Sequence, residues 1–598
     1  MCAGFYLYGQ LSLRFMKTIH LFCALFFLFC LSAKAQQTQS TYKFHSHNDY
    51  EQEFPFWKAY IHGANSIEAD VYLKNGKLYV THAEAEIKED NTLQHLYFDP
   101  IENLIEKGGF RELQLLVDLK SDAKKTLSKI IEALEDYPGI RQSNKLIIAI
   151  SGNRPPAAEY GAYPDYIWFD HQSLDDLDTI DLSKVAMISK GFSGFSHWNG
   201  LGRPVAADMQ KIKDVVAKAH EYGKPFRFWG TPDTRTAWSK FAKMGVDYVN
   251  TDHPDEVDLF LKSLDLRTYQ NPEQTKIYKP RFDYDPKAQP KNVILLIGDG
   301  NGLSQISSAM IANGGELNLT QLQNIGLIKT SSYDDLVTDS AAGATAMATG
   351  EKTNNRAIGT NADGQPIKNI TEILGTKGYI TGLMTTDEIT GATPSAFYAH
   401  EPERDNSDAI LEDLALSQIN FYVSSKAIKI PMLGIPQKVD GKNAKDYLER
   451  EAFLPAIERG AIFPEFFEKV LGELEKQEKP YFLMVEGAKI DSNGHTNNIK
   501  GIVTEMLDFD QAVRAALMEA DKNKNTLVII TADHETSGLG IMQGSLENGE
   551  VEAGFLSNDH TASMVPIFAY GPQSQHFTGV FENTEIFHKI MKALEIKE

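Results

Sequence analysis

Short apolar runs alternate with helix-period stretches along the first part of the chain. Runs of strand character begin at residues 42–44, 66–68, 113–115, 145–147, 166–168, 184–186, 225–227 and 247–249. Amphipathic stretches such as 208–222 and 234–244 fall between several of them. Strands that alternate with helices imply a parallel sheet. Eight such runs predict a closed β/α barrel of the TIM type over residues 41–264. The pattern then breaks: residues 265–290 are polar and rich in proline, without an apolar period, and read as a linker. From 291 to 598 the apolar runs resume at 292–297, 379–384, 481–485, 526–531 and 565–570, with helices between them. This predicts an α/β/α sandwich but not its strand order. No internal repeat and no low-complexity tract interrupts the chain.

With 598 residues the chain is long enough for two domains. Hydrophobic residues at 42% and charged residues at 23% are ordinary for a soluble globular protein. A net charge of −22 argues against nucleic acid, whose phosphate backbone calls for an excess of Lys and Arg. An acidic chain still holds phosphate where metals and an arginine reverse the field locally. At the N-terminus, Lys17 precedes an apolar run at 21–31, and Ala33-Lys34-Ala35 forms a small-x-small cleavage site. Residues 1–35 therefore read as a signal peptide, with Met16 the more natural start and the periplasm or exterior the destination. The apolar run is shorter than the ~20 residues of a membrane span, so none is expected after cleavage. Cys2, Cys23 and Cys30 all lie upstream of the cut, so no disulfide is expected in the mature chain.

Oxygen and nitrogen donors gather where the C-terminal runs end, the edge at which open α/β sheets place their sites. Asp299 follows the run at 292–297; Glu486, Asp491 and His495 follow that at 481–485; Asp533-His534 follows that at 526–531. His560 precedes the last run, and Asp339-Ser340 opens a helix. A serine hydroxyl needs a base or a metal to act as a nucleophile. A helix N-terminus favours an anionic phosphate. Histidine with carboxylate suits zinc, and oxygen donors alone suit magnesium. Two metals ~4 Å apart stabilise the attacking and leaving oxygens of an in-line displacement.

Residues 298–302 (GDGNG), 337–350 (VTDSAAGATAMATG), 485–495 (VEGAKIDSNGH), 531–536 (TADHET) and 558–572 (NDHTASMVPIFAYGP) together resemble the alkaline phosphatase family. The resemblance implies that Ser340 is the covalent nucleophile. It implies a first zinc on Asp491, His495 and His560, a second on Asp299, Asp533 and His534, and a magnesium on Asp299, Glu486 and Thr393. Arg404 follows Thr393 at the family's spacing for the phosphate-binding arginine, and Asp339 would orient it. Two positions depart from the family. Gly391 stands where bacterial members often have Asp and animal ones His, and Ser492 replaces a common Lys or His. Both flank the third metal and the phosphate, so that metal's identity is the open point. Sulfatase-type and diesterase-type relatives usually carry another nucleophile in place of this serine.

A second set of donors marks the N-terminal half. His45 and His47 end the first run, Glu68 and Asp70 lie two apart on the second, His82 follows, and Asp118 and Lys120 end the next. A two-residue spacing on a strand points both carboxylates to one face. Glu68, Asp70 and Asp118 could hold one hard cation, Mg2+ or Ca2+. Two histidines could serve as general acid and base, and Lys120 would offset phosphate charge. The stretch GANSIEADV, then His82, then VDLK resembles the glycerophosphodiester phosphodiesterase and sphingomyelinase D superfamily of phospholipase C-like barrels. Phe228-Trp229-Gly230 and residues 245–254 resemble that group's closing Trp strand and the segment after it. The usual His-Arg-Gly opening is His-Ser-His here, which leaves His45 and His47 as alternatives for the catalytic histidine.

The combined reading is an exported phosphomonoesterase with two zinc ions and one magnesium, fused to a metal-dependent phosphodiesterase barrel that supplies its monoesters. Its partners would be small phosphate mono- and diesters, with a homodimer left open. The rival reading is a phosphatase carrying a non-catalytic ligand-binding barrel. A barrel of sphingomyelinase D type, giving cyclic diesters, would not feed the phosphatase.

Overall fold

The computed structural model describes residues 42–425 and 462–597. The expected signal peptide and the three cysteines lie outside the described residues. The chain divides into two compact units between Leu264 and Asp265. Among the described residues, no helix is long and apolar enough to cross a membrane.

The first unit is a closed barrel. Its strands are β1 Lys43–Ser46, β2 Ser66–Lys74, β3 Lys77–Val80, β4 Leu113–Leu119, β5 Leu146–Gly152, β6 Ile167–His171, β7 Val185–Gly191, β8 Phe226–Trp229 and β9 Tyr248–Thr251. Eight of them are parallel neighbours in the order β1-β9-β8-β7-β6-β5-β4-β2, and β1 pairs with β2 to close the ring. Each of the eight expected runs becomes one of these strands, because a strand covered on both faces shows as an apolar run. The ninth, β3, is an antiparallel hairpin partner of β2. It turns at Asn75 and Gly76, both with positive φ, an Asn-Gly hairpin turn overlooked in the sequence pattern. The expected helices form at Ala206–Glu221 and Arg235–Lys243 and pack their apolar faces on the strands. Within the barrel, Leu116, Ala149, Met187 and Tyr248 form a small separate apolar cluster. In register with β2, Glu68 pairs with Leu116 and Asp70 with Asp118. The carboxylates thus line the lumen toward its C-terminal end, where such barrels carry their sites.

The second unit is built on an eight-stranded sheet. Its strands in chain order are β10 Thr268–Gln270, β11 Asn292–Gly298, β12 Asn324–Lys329, β13 Ile380–Thr385, β14 Phe421–Val423, β15 Tyr481–Gly487, β16 Thr526–Thr531, β17 Glu535–Thr536, β18 Gly540–Ser545, β19 Glu550–Gly554, β20 His560–Thr561, β21 Val565–Tyr570 and β22 Gly579–Glu582. The main sheet runs β14-β13-β15-β11-β16-β21-β12-β22, with the first five parallel and β21 antiparallel to both neighbours. Alternate residues of β11 enter two different cores. Ile294 and Leu296 pack with the long helix Ile499–Asn523, while Val293, Leu295 and Ile297 pack with the helices Ser340–Thr349 and Glu585–Ala593. That is the expected sandwich. The five expected runs are its inner strands. β12, β14 and β22 are shorter or partly exposed strands with a weaker apolar signal.

Residues 265–290 belong to the second unit rather than standing free as a linker. β10 pairs antiparallel with β19. Tyr278 Oη donates to Asp521 Oδ2 at 2.6 Å, and the Arg281 amide donates to the same oxygen at 3.0 Å. The Phe282 amide donates to Tyr570 Oη at 2.9 Å, and Gln289 reaches the Leu594 carbonyl at 2.6 Å. The segment docks through these single bonds and through scattered aromatics, Phe282 and Tyr284 packing edge-on against Tyr570, so it shows no apolar period.

Candidate active sites

In the second unit, parallel strands that end at one edge bring distant donors together. Asp299 follows β11, Glu486 is the next-to-last residue of β15, and Asp533-His534 follows β16. The helix Lys489–His495 carries Asp491 and His495 one turn apart, and β20 carries His560. Gly300, at φ 71°, allows this convergence: a Cβ there would lie 2.8 Å from the Asp491 Cα.

Two donor groups result. His534 Nε2 lies 3.5 Å from Asp299 Oδ1 and 3.3 Å from Asp533 Oδ2. His495 Nε2 lies 3.2 Å from Asp491 Oδ2, and His560 Nε2 lies 3.2 Å from His495 Nε2 and 3.6 Å from Asp491 Oδ1. The far nitrogens of both rings face backbone carbonyls, His495 Nδ1 that of Asn558 at 2.7 Å and His560 Nδ1 that of Thr338 at 2.9 Å. Such bonds fix the tautomer and direct Nε2 inward, the arrangement of metal-ligating histidines. Asp559, adjacent to His560, joins the second group and was not picked out from the sequence.

The carboxylates are crowded and buried, and their acidity shows it. Burial, then Asp533, Asp491 and Glu486, push Asp299 well above the usual carboxylate range. Burial, then Asp491, push Asp533 up to about 6; burial, then Asp387, push Glu486 up to about 8. Asp299 Oδ1 and Asp533 Oδ2 are buried without a hydrogen bond. Buried polar atoms normally find partners. Cations would satisfy these atoms and relieve the repulsion, so the donor set fits the metals the family implies.

Ser340 is the first residue of the helix Ser340–Thr349, and its Oγ lies 3.3 Å from His534 Nε2. Asp339 caps that helix by accepting from the Ala342 amide at 2.9 Å. Its other oxygen accepts from Arg404 Nη1 at 3.1 Å and from the Arg356 amide at 3.0 Å. Arg356 spends its guanidinium on Glu403 and Asp405, whereas Arg404 has only Asp339 as an ion-pair partner among the described residues.

In the barrel, Glu68, Asp70 and Asp118 form a third donor group. Lys120 Nζ sits 3.2 Å from Asp70 Oδ2 and 3.1 Å from Asp118 Oδ1. His82 Nδ1 and Tyr50 Oη meet the same Asp70 oxygen at 2.8 and 3.0 Å, while Asp70 Oδ1 is buried without a bond. The two candidate histidines differ sharply. His45 is wholly buried between Ser66 Oγ at 2.8 Å and Glu68 Oε2 at 2.7 Å, and burial, then Arg227, push it down to about 3. His47 is partly open and bonded to Asp252 at 2.8 Å; burial works downward on it, but this bond holds it above the usual value. Arg227 on β8 was missed. Its Nη1 lies 2.6 Å from His45 Nε2 and 3.2 Å from Glu68 Oε2. An arginine inside the apolar run Phe226-Arg227-Phe228 was the available signal.

Donors at the C-terminal edge of a sandwiched sheet, beside a serine on a helix N-terminus, define a phosphoric ester hydrolase. The chain belongs to the alkaline phosphatase family, whose model matches residues 290–432, 434–548 and 541–596. The first unit matches an AIM6-like phosphodiesterase domain at residues 34–110 and the glycerophosphoryl diester phosphodiesterase family at 225–255. Alkaline phosphatase 3 of Bacillus subtilis is 30% identical over 414 residues, covering 51% of this chain and 89% of its own. Alkaline phosphatase 4 of the same organism is 29% identical over 422 residues, covering 52% and 90%. The solved alkaline phosphatase of the Antarctic bacterium TAB5 is 37% identical, covering 52% of this chain and 99% of its own, with a TM-score of 0.46.

Proposed function

We propose that the second unit hydrolyses phosphate monoesters through a phosphorylated Ser340, and that the first unit cleaves phosphodiesters to supply them. The observation that carries the first half is the Ser340 hydroxyl at a helix N-terminus, 3.3 Å from His534, beside an arginine held by Asp339. Asp491, His495 and His560 would hold one zinc, Asp299, Asp533 and His534 a second, and Asp299, Glu486 and Thr393 a magnesium. When bound, these ions supply positive charge for the developing oxyanions and lower the pKa of oxygen nucleophiles. Arg404 grips the non-bridging oxygens with its free guanidinium edge. Ser340 Oγ forms the bond to phosphorus as the ester oxygen departs, and the serine proton leaves with the alcohol. Water then displaces the serine and releases inorganic phosphate.

In the barrel, Glu68, Asp70 and Asp118 would hold one Mg2+ or Ca2+. His47 and His82 would handle protons, because both are open to solvent while His45 is sealed against Glu68 and Arg227. The unbonded Asp70 oxygen within this cluster favours a catalytic barrel over a purely binding one. Residues 1–35 would direct export to the periplasm or exterior.

The deciding experiment traps the phosphorylated enzyme at low pH with a labelled monoester. The label is expected on Ser340 and absent in Ser340→Ala, whose turnover should fall by orders of magnitude while zinc stays bound. Label retained in that variant would remove the serine from the mechanism.

A further inference from the structure

Gly391 has no side chain, and a neighbour claims the space beside it. A Cβ at 391 would lie 3.0 Å from Asp387 Oδ2 and 3.0 Å from the Glu388 carbonyl oxygen. Asp387 stands in the turn between β13 and the short helix Ala392–Ser395 that carries Thr393. Three bonds fix it there. Its amide donates to Thr385 Oγ1 at 2.8 Å, and that hydroxyl in turn donates to Glu486. Its carbonyl accepts from the Ser425 amide at 2.8 Å, and its Oδ1 accepts from Lys489 Nζ at 2.6 Å. Lys489 lies three residues before Ser492 on the same helix, so it shares a face with the position that lacks a cation.

The surroundings point to a ligand. Glu486 is buried at 2% exposure, and the Asp387 charge bears on it. Thr393 is 1% exposed, and its hydroxyl faces the Glu486 carboxylate. Asp299 Oδ1 is buried and unbonded. Donors here are oxygen only, which suits Mg2+, an ion that keeps several waters and takes few carboxylates directly. Asp387 is half-buried, at the solvent side of this group.

We propose that Asp387, anchored by Lys489, replaces the side chain missing at Gly391 and holds the hydration shell of the third cation. Asp299, Glu486 and Thr393 would be its direct donors. The inference rests on the metal reading above. It makes 387 and 391 alternative positions for one carboxylate, because a side chain at 391 would press on Asp387.

The test uses the full chain loaded with zinc, titrated with Mg2+ by calorimetry. The barrel's cation is common to all variants and cancels in the comparison. Asp387→Asn is expected to weaken one Mg2+ site by about tenfold or more, with zinc content unchanged. Adding Gly391→Asp to Asp387→Ala, which clears the atom that a side chain at 391 would meet, is expected to restore affinity to within about threefold of the native chain. Unchanged Mg2+ affinity in Asp387→Asn, or no recovery in the double variant, would overturn the assignment of Asp387 while leaving the zinc-serine reading intact. A native chain that takes up no Mg2+ beyond the barrel's would remove the third cation and both readings with it.

Discussion

Arg404 and Asp339 form a unit whose parts have separable costs. Arg404→Ala should lower kcat/KM by roughly a hundredfold, about 2.7 kcal/mol of transition-state binding, and weaken inhibition by inorganic phosphate. Arg404→Lys should recover little, because an ammonium cannot reproduce the planar fork. Inhibition constants for phosphate check both, and an unchanged constant in Arg404→Ala would point to another phosphate ligand. Asp339→Ala should repeat that loss and add ~1 kcal/mol of instability, because the same carboxylate caps the helix Ser340–Thr349. The added term should appear in urea unfolding and be absent for Arg404→Ala.

At the scale of elements, the segment 265–290 is a strap of the phosphatase unit. Asp521 is 1% exposed and receives Tyr278 Oη, Tyr570 Oη and the Arg281 amide. Asp521→Ala would leave those donors unpaired and should destabilise the unit by roughly 2–4 kcal/mol. The same bonds bear on where a fragment begins. A fragment of residues 265–598 keeps β10 and all three Asp521 contacts, whereas one of residues 291–598 loses β10 and the Tyr278 and Arg281 bonds and keeps only that of Tyr570. The longer fragment should unfold at clearly higher urea concentration, with a larger m-value from the extra buried surface. Equal midpoints would show that the strap carries no stability.

At the scale of the whole molecule, the two sites should act in series. Given a glycerophosphodiester, the full chain should release inorganic phosphate. Ser340→Ala should instead accumulate the monoester, because the first step survives. Glu68→Gln should leave the diester intact yet still hydrolyse added monoester. Quantifying diester, monoester and phosphate over time separates these outcomes, with the fragment 265–598 as a control for diesterase activity of the second site. Phosphate release from the diester at the native rate in Glu68→Gln would take diester cleavage away from the barrel and favour the binding-module reading.

The number of barrel strands and the inner strands of the sandwich were legible in the chain, because a strand buried on both faces must be an apolar run wherever it sits. The candidate donors of the second unit were legible too, since most stand close to a strand end and the structure gathers them into groups. Local pattern says much less about polar residues that meet across the fold. Arg227 and His45 lie 182 residues apart and touch only because the barrel closes β8 through β9 to β1. His45 and His47 stand two apart and would share a face on a longer strand, but β1 ends at Ser46, which leaves His45 buried and His47 partly open in the turn beyond it. Asp387 stands close to a glycine that sequence reading marks only as a departure from the family. The strap 265–290 looked like a linker because its anchors are scattered hydrogen bonds and irregularly spaced aromatics, and such contacts with distant partners leave no periodicity behind.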